Sequence, residues 1–130
     1  MSGIYNFENF PEVYLELSGN IIDDVTVNEI INTWLSIFNL KKDFSVFINT
    51  ENLVSANYKY VIYIANAIKK IKKNTELRKY IEKTTIYLYD RYIYTLFKSI
   101  FLLVDPISDV DIIFINKHGD DKIEHIIPKN

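Results

Sequence analysis

The chain has 130 residues, of which 48% are hydrophobic and 25% charged, and its formal net charge is -2. This length and composition predict one globular domain, and the negative balance gives no electrostatic support for nucleic-acid binding. The absence of Cys excludes disulfides, thiolate metal sites and a cysteine nucleophile. No apolar run approaches the roughly 20 residues that cross a bilayer, and residues 1–10 do not resemble a signal peptide, so we expect a soluble cytoplasmic protein without a transmembrane segment.

The chain begins with two predicted strands. Residues 4–10 alternate aromatic and polar side chains and end at Pro11. Residues 13–17 then alternate between apolar side chains on one face and Tyr14 and Glu16 on the other. The two strands are expected to form an antiparallel hairpin, and Ser18-Gly19 is expected to end the second of them.

A helix is predicted next, because Asp23, Asp24 and Thr26 are N-cap residue types and Glu29 follows Thr26 at the spacing of a capping box. Its apolar side chains recur at i, i+3, i+4 and i+7, which is typical of a helix that covers a sheet. These residues are Val27, Ile30, Ile31, Trp34, Ile37 and Phe38.

Residues 43–53 predict the central strand. Phe44, Val46, Phe47 and Ile48 form an apolar run, which indicates a strand buried on both faces of a parallel sheet. The polar residues from Asn49 onward are predicted to form a loop at its carboxyl end, where open α/β sheets place their binding sites.

The remaining elements alternate between helices and strands. Helices are predicted at 58–73 and 76–81 and after an Asp90 cap, strands at 84–89 and 110–115, a turn at 117–120 and an edge strand at 122–127. The order β-β-α-β-α-β-α-β implies right-handed crossovers and a mostly parallel sheet. We therefore predict a single α/β domain over residues 1–130, with a core at 13–115, an N-terminal strand within 1–12, and a turn and edge strand within 116–130.

The segment Leu15-Glu16-Leu17-Ser18-Gly19-Asn20-Ile21 resembles the strand and turn that open STAS domains, the SpoIIAA-like group of sulfate transporters and anti-sigma-factor antagonists. The element order continues the resemblance over residues 13–115. The same basic fold is shared by CRAL-TRIO lipid-binding domains, whose final strand follows a segment similar to residues 101–107. The resemblance implies an α/β fold with an antiparallel N-terminal strand.

The resemblance also implies a role in protein–protein interaction. Anti-sigma-factor antagonists carry a phosphorylated Ser at the start of the helix after the central strand. The matching positions here are Asn57, Tyr58, Lys59 and Tyr60, so the phosphoacceptor is missing, and Ser55 is a weak substitute that is more readily explained as a cap. We expect a docking module without the phospho-switch.

The predicted partner-binding loop joins the central strand to its helix, and Tyr58 is its aromatic anchor. The Asn residues have an alternative role as turn and helix caps. The candidate binding residues are Asn49, Glu51, Asn52, Ser55, Asn57 and Tyr58.

Catalytic and metal sites are not predicted. The three Gly residues are far apart, so a phosphate-binding loop is excluded, and Ser18 lacks the surrounding nucleophile-elbow pattern. Asp109 and Asp111 are expected to be solvated charges, and His118 and His125 surface residues. We therefore expect no enzyme activity, cofactor or metal.

Three alternatives stay open. The apolar third helix and Asp105-Pro106 favour a small CRAL-TRIO-like lipid or hydrophobic-ligand carrier, which needs an apolar cavity of several hundred cubic ångströms, on the order of known ligand pockets. The aromatic residues 4–10 favour a homodimer or a homo-oligomeric structural protein. A basic cluster from Lys69 to Lys83 is most simply a solvated helix face, and otherwise a contact for an acidic partner or an anionic lipid surface.

Overall fold

The computed structural model describes residues 3–116, 119 and 121–129 and has the predicted α/β fold in a single sheet. The helices are α1 (Asp24–Phe38), α2 (Tyr60–Lys72) and α3 (Arg91–Leu103), with a short 3-10 helix at Arg78–Tyr80 in place of the predicted helix at 76–81. The strands are β1 (Gly3–Asn6), β2 (Glu12–Ile21), β3 (Phe44–Ala56), β4 (Ile81–Leu88), β5 (Asp109–Phe114) and β6 (Lys122–Ile126).

The six strands lie side by side in the order in which they occur in the chain. β2 to β5 are parallel and β1 is antiparallel to β2, as predicted. β6 is the predicted edge strand, and it runs antiparallel to β5. Because each right-handed crossover steps to the next strand in the same direction, all three helices lie on one face of the sheet. The described residues therefore form two layers, and none of their helices covers the second face of the sheet.

The hydrophobic core lies between the helices and the sheet. Val13, Leu15 and Leu17 of β2 are buried beneath the helices, while Tyr14 and Glu16 point away from them, as the alternation predicts. The buried residues form two clusters, a larger one that includes Leu88, Ile93 and Ile112 and a smaller one around Phe38 and Phe44. Tyr5 and Ile48 pack against both clusters.

The prediction that β3 is buried on both faces is wrong. Its helix-side residues Phe44 and Val46 are buried, whereas Phe47 and Asn49 on the other side are only partly covered. The apolar run reflects contact with neighbouring side chains across the sheet rather than a second layer of helices.

β2 and β3 both continue past their predicted ends. Residues 18–21 pair with residues 52–56, with register shifts on either side of Ser18 and Gly19, and we call this two-stranded segment the β2–β3 extension. Gly19 has a φ of +70°, so it forms an irregularity within the strand rather than ending it. The strands continue because the buried Ile21 and Leu53 anchor the extension on the helix side.

The helix caps follow the sequence more closely. Asp23 is the N-cap of α1 and accepts a hydrogen bond from the Thr26 N–H at 2.7 Å, so Thr26 does not lead a capping box with Glu29. Asp90 caps α3 as predicted, accepting from the Ile93 N–H at 3.1 Å. The predicted turn at 117–120 includes residues outside the described part of the chain, and His118 is one of them.

Within the described residues, no helix combines the length and apolar character needed to cross a membrane.

Candidate functional site

The face of the sheet opposite the helices, which we call the open face, is the main candidate for a binding surface. One row of neighbouring residues crosses it from Tyr14 through Phe47 and Thr85 to Asp111 and His125. The next row contains Ile4, Glu16, Asn49, Tyr87, Ile113 and Ile123. The exposure of Ile4 (55%) and Ile123 (58%) shows that apolar side chains reach solvent at both edges of this face.

A shallow groove of about 390 Å³ lies on the open face, where β4 and β5 end. Tyr14 and Phe47 stack with ring centroids 5.0 Å apart and an interplanar angle of 17°. Tyr87 and Tyr89 come from β4 and the residue that follows it. We call this the aromatic groove, and its lining residues are Tyr14, Leu15, Glu16, Phe47, Asn49, Tyr87, Tyr89 and Ile115.

The hydroxyls of Tyr14 and Tyr89 keep their protons at neutral pH. Partial burial, followed by the Glu12 carboxylate, raises the pKa of Tyr14 above its ordinary value. Partial burial and then the Glu51 carboxylate raise the pKa of Tyr89. Both hydroxyls are therefore hydrogen-bond donors and acceptors for a bound group.

Beside the groove, the charge on the open face is mainly acidic. The side chains of Glu12 and Glu16 project on this face next to the aromatic rings. Asp111 lies between two side chains, with Lys83 Nζ at 2.6 Å and His125 Nδ1 at 2.5 Å. The Lys83 ammonium, together with the His125 hydrogen bond, holds the pKa of Asp111 below its usual range. Because Lys83 is engaged by Asp111, the acids beside the groove keep their negative potential.

The predicted binding loop is not a loop, because residues 49–56 belong to β3. Two of its residues lie near the aromatic groove. Asn49 lines it, and its side-chain oxygen accepts from the Glu51 N–H at 3.0 Å. Glu51 is close enough to Tyr89 to affect its pKa.

Of the other four predicted residues, Asn52 reaches the groove through its contact with Glu16, while Ser55, Asn57 and Tyr58 lie away from it. On the β2–β3 extension, Asn52 donates to Glu16 at 3.4 Å, and the Ser55 hydroxyl donates to the Asn20 side chain at 2.6 Å. Asn57 accepts from the Lys59 N–H at 3.0 Å, and the Tyr58 hydroxyl donates to Ser99 at 2.8 Å. The structure therefore does not gather the six residues into one surface.

At the start of α2, a polar cluster ties two helices together. The Tyr60 hydroxyl donates to Asp24 at 2.8 Å, and Lys59 Nζ lies 3.3 Å from the same carboxylate. The Tyr60 hydrogen bond, followed by that of Lys59, lowers the pKa of Asp24. This cluster joins the N-termini of α1 and α2, so we regard it as structural.

An apolar cavity of about 140 Å³ lies between the helices and the sheet. It explains why Ile48, in the middle of the central strand, and Ile30, Ile31 and Trp34 of α1 are only partly buried. A second void of about 80 Å³ shares several of the same lining residues. The interior is therefore neither solidly packed nor as large as the several hundred cubic ångströms expected for a lipid carrier.

Sequence reasoning missed the aromatic residues of the groove. Tyr14, Phe47 and Tyr87 occupy outward positions of three adjacent strands, and the alternation of their side chains is visible in the sequence. That signal carries functional meaning only if one face of the sheet lacks helices. The element order alone does not reveal this.

Comparisons with protein-family models, curated proteins and solved structures give no match to this chain. The resemblance to STAS domains therefore stays a prediction.

Proposed function

We propose that this chain is a non-enzymatic protein-interaction module that docks a partner on the open face of its sheet. The observation that supports this role is the aromatic groove, because it lies on a face without helices and exposes parts of four aromatic side chains. Partly exposed Tyr and Phe side chains on a rigid element supply large contact area at low entropic cost, which is typical of interface anchors.

The charge on this face favours a basic partner segment. Glu12, Glu16 and Glu51 lie around the aromatic rings, and Lys83 is paired with Asp111. A segment with Lys or Arg flanking an apolar or aromatic residue would pack against the rings and pair with these acids. Acidic or nucleic-acid partners would be repelled.

This proposed module has no phospho-switch of the STAS type. The expected Ser positions are occupied by Tyr58 and Lys59, and the nearby Ser55 hydroxyl donates to Asn20 on the β2–β3 extension. Ser55 is also outside the aromatic groove, so a phosphate there would not touch the bound partner directly.

The test is selection of peptides from a displayed random library on the immobilised protein. We expect enrichment of peptides that combine Lys or Arg with aromatic or large aliphatic residues. Replacing an interface anchor costs about 2 kcal/mol, so Tyr87→Ser should weaken their binding about 30-fold. Fluorescence anisotropy with labelled peptides measures this change.

The matched control is Leu102→Ser, which removes an apolar side chain that is 82% exposed on α3, on the other side of the sheet. Peptide affinity should stay within about twofold of the unaltered protein. Equal weakening by both variants, or enrichment of acidic peptides, would contradict docking on the open face.

The apolar cavity favours a second candidate function, the binding of a small hydrophobic molecule. Its volume of about 140 Å³ is too small for a whole phospholipid and suits a compact apolar group or the end of an acyl chain. Tyr5 lines the cavity, and burial raises the pKa of its phenol. The Tyr5 hydroxyl donates to the Ile30 carbonyl at 2.8 Å, so this polar group already has a hydrogen-bond partner.

Mass spectrometry of organic extracts from the purified protein tests this second candidate. We expect a bound apolar molecule whose amount falls severalfold in Ala67→Leu, because Ala67 lines the cavity and a larger side chain would fill it. Asn66→Leu adds the same side chain at an exposed position and should retain the ligand. Extracts without a ligand, or equal ligand in both variants, would rule out this function.

A further inference from the structure

The basic residues of this chain are concentrated at one end of the molecule. Because the helices run opposite to the strands, α1 and α2 end at the edge of the sheet where β3 and β4 begin. We call the cations at this edge the basic end. They are Lys41, Lys42, Lys69, Lys70, Lys72, Lys73, Arg78 and Lys79.

Two contacts connect the segments that carry these cations. Lys41 Nζ lies 3.4 Å from Glu76 Oε1, which places the residues after α1 beside the turn after α2. Arg78 donates from its guanidinium to the Lys72 carbonyl at 3.4 Å, which holds the 3-10 helix against the end of α2. The segments that carry these cations therefore lie beside one another at this end of the molecule.

Most of this charge has no neutralising partner. Among the described residues, Lys41 is the one member of the basic end with a carboxylate within 4.0 Å. The net charge of the whole chain is -2, so this positive surface does not arise from a general excess of basic residues. The segments that carry the eight cations contain three acids, Asp43, Glu76 and Glu82, so the local charge is strongly positive.

An apolar side chain lies among the lysines. Leu40 is 53% exposed and precedes Lys41, whose φ of 55° places it in a left-handed turn. Lys79 Nζ lies 5.2 Å from the centre of the Tyr80 ring, so an aromatic side chain also adjoins the cations. A nucleic acid would use the charges but gains little from Leu40, whereas a bilayer interface accommodates both the charges and the apolar side chain.

We propose that the basic end binds an anionic membrane surface, with its lysines against the lipid headgroups and Leu40 inserted at the headgroup boundary. Clusters of four to eight Lys or Arg residues are typical of such surfaces. The strands begin at this end, so the open face stands beside the membrane and stays accessible. This inference does not depend on the function proposed for the aromatic groove.

Sedimentation with sucrose-loaded phosphatidylcholine vesicles, with and without about 30 mol% phosphatidylserine, tests the proposal. We expect binding to the anionic vesicles that falls steeply as salt is added, and little binding to the neutral ones. Each lysine near such a surface contributes about fivefold to affinity, so Lys69→Gln, Lys70→Gln and Lys73→Gln together should weaken binding about 100-fold.

The matched control removes the same charge elsewhere. Arg91→Gln, Lys122→Gln and Lys129→Gln together replace three exposed cations outside the basic end, and vesicle affinity should fall less than about fivefold. Equal losses in the two triple variants, or no preference for anionic over neutral vesicles, would overturn the proposal.

A second variant separates a membrane from other polyanions. Leu40→Ser should weaken vesicle binding about fivefold and leave binding to a single-stranded DNA oligonucleotide and to polyglutamate unchanged. Val54→Ser, which alters a 70% exposed side chain on β3, should change neither. Tighter binding to DNA or polyglutamate than to anionic vesicles, or vesicle binding unaffected by Leu40→Ser, would refute membrane attachment.

Discussion

Replacing Phe38 by Ala is expected to lower the free energy of unfolding by about 4 kcal/mol. Phe38 has no exposed surface, and its ring meets Trp34 and Phe44 edge to face with centroids 4.9 and 5.0 Å away. Truncation removes both aromatic contacts and leaves a cavity that a two-layered core cannot readily close. Urea unfolding followed by circular dichroism measures the loss.

The control for this substitution is Leu102→Ala, at an exposed position on α3. It should change the free energy of unfolding by less than about 0.5 kcal/mol. Since domains of this size are stabilised by only about 5 to 15 kcal/mol, Phe38→Ala should also lower Tm by about 10 °C or more. A loss below about 1 kcal/mol for Phe38→Ala would mean that the smaller core cluster is not packed as described.

Gly19→Val is expected to lower the free energy of unfolding by about 2 kcal/mol. Gly19 has a φ of +70°, a region that β-branched residues rarely adopt. An added Cβ would meet no heavy atom within 4 Å, so the cost comes from backbone strain and not from a clash. The substitution therefore reports on the irregularity that allows residues 18–21 to stay paired with β3.

Gly19→Asn provides the comparison, because Asn enters left-handed conformations more readily than other residues with a side chain. It should cost about half as much as Val, measured by the same urea titration. Equal costs for the two substitutions would contradict a strain mechanism, since the side-chain environment offers both residues open space.

Much of the fold could be predicted from local patterns. The alternation around Leu15 identified the buried face of β2, and the spacing of Ile93, Leu96 and Phe97 identified the buried face of α3. Asp90 as a helix cap was equally clear, because capping depends on a few adjacent residues. These signals are short-range, so the sequence contains them directly.

The order of the strands could not be predicted in this way. A β-α-β-α-β sequence is compatible with helices on both faces or on one, and the apolar run at Val46-Phe47-Ile48 favoured the wrong alternative. Similarly, the polar residues after Ile48 indicated a loop, although the backbone of β2 continues alongside and pairs with them. Strand pairing satisfies the hydrogen bonds of the main chain whatever the side chains are. The polar side chains after Ile48 therefore did not mark the end of β3.

The candidate site depended on this same long-range information. Asn49 and Glu51 were predicted to bind a partner, and both lie near the aromatic groove. The prediction placed them in a loop, however, and the structure has a continuing strand there. Of the groove residues, Phe47 was predicted to be buried and Tyr14 to lie opposite the apolar side chains of β2. That they line a common groove became visible only when the uncovered face of the sheet was known.

The one-sided layering has a consequence for how this chain can diverge. The residues that stabilise the fold lie between the sheet and its helices, whereas Tyr14, Phe47 and Tyr87 point to the other side of the same strands. Substitutions at alternate positions therefore fall under separate selective constraints. One acts on stability, and under the proposed docking function the other acts on recognition. If that proposal holds, relatives of this protein should preserve the buried alternation while their open faces change with the partner.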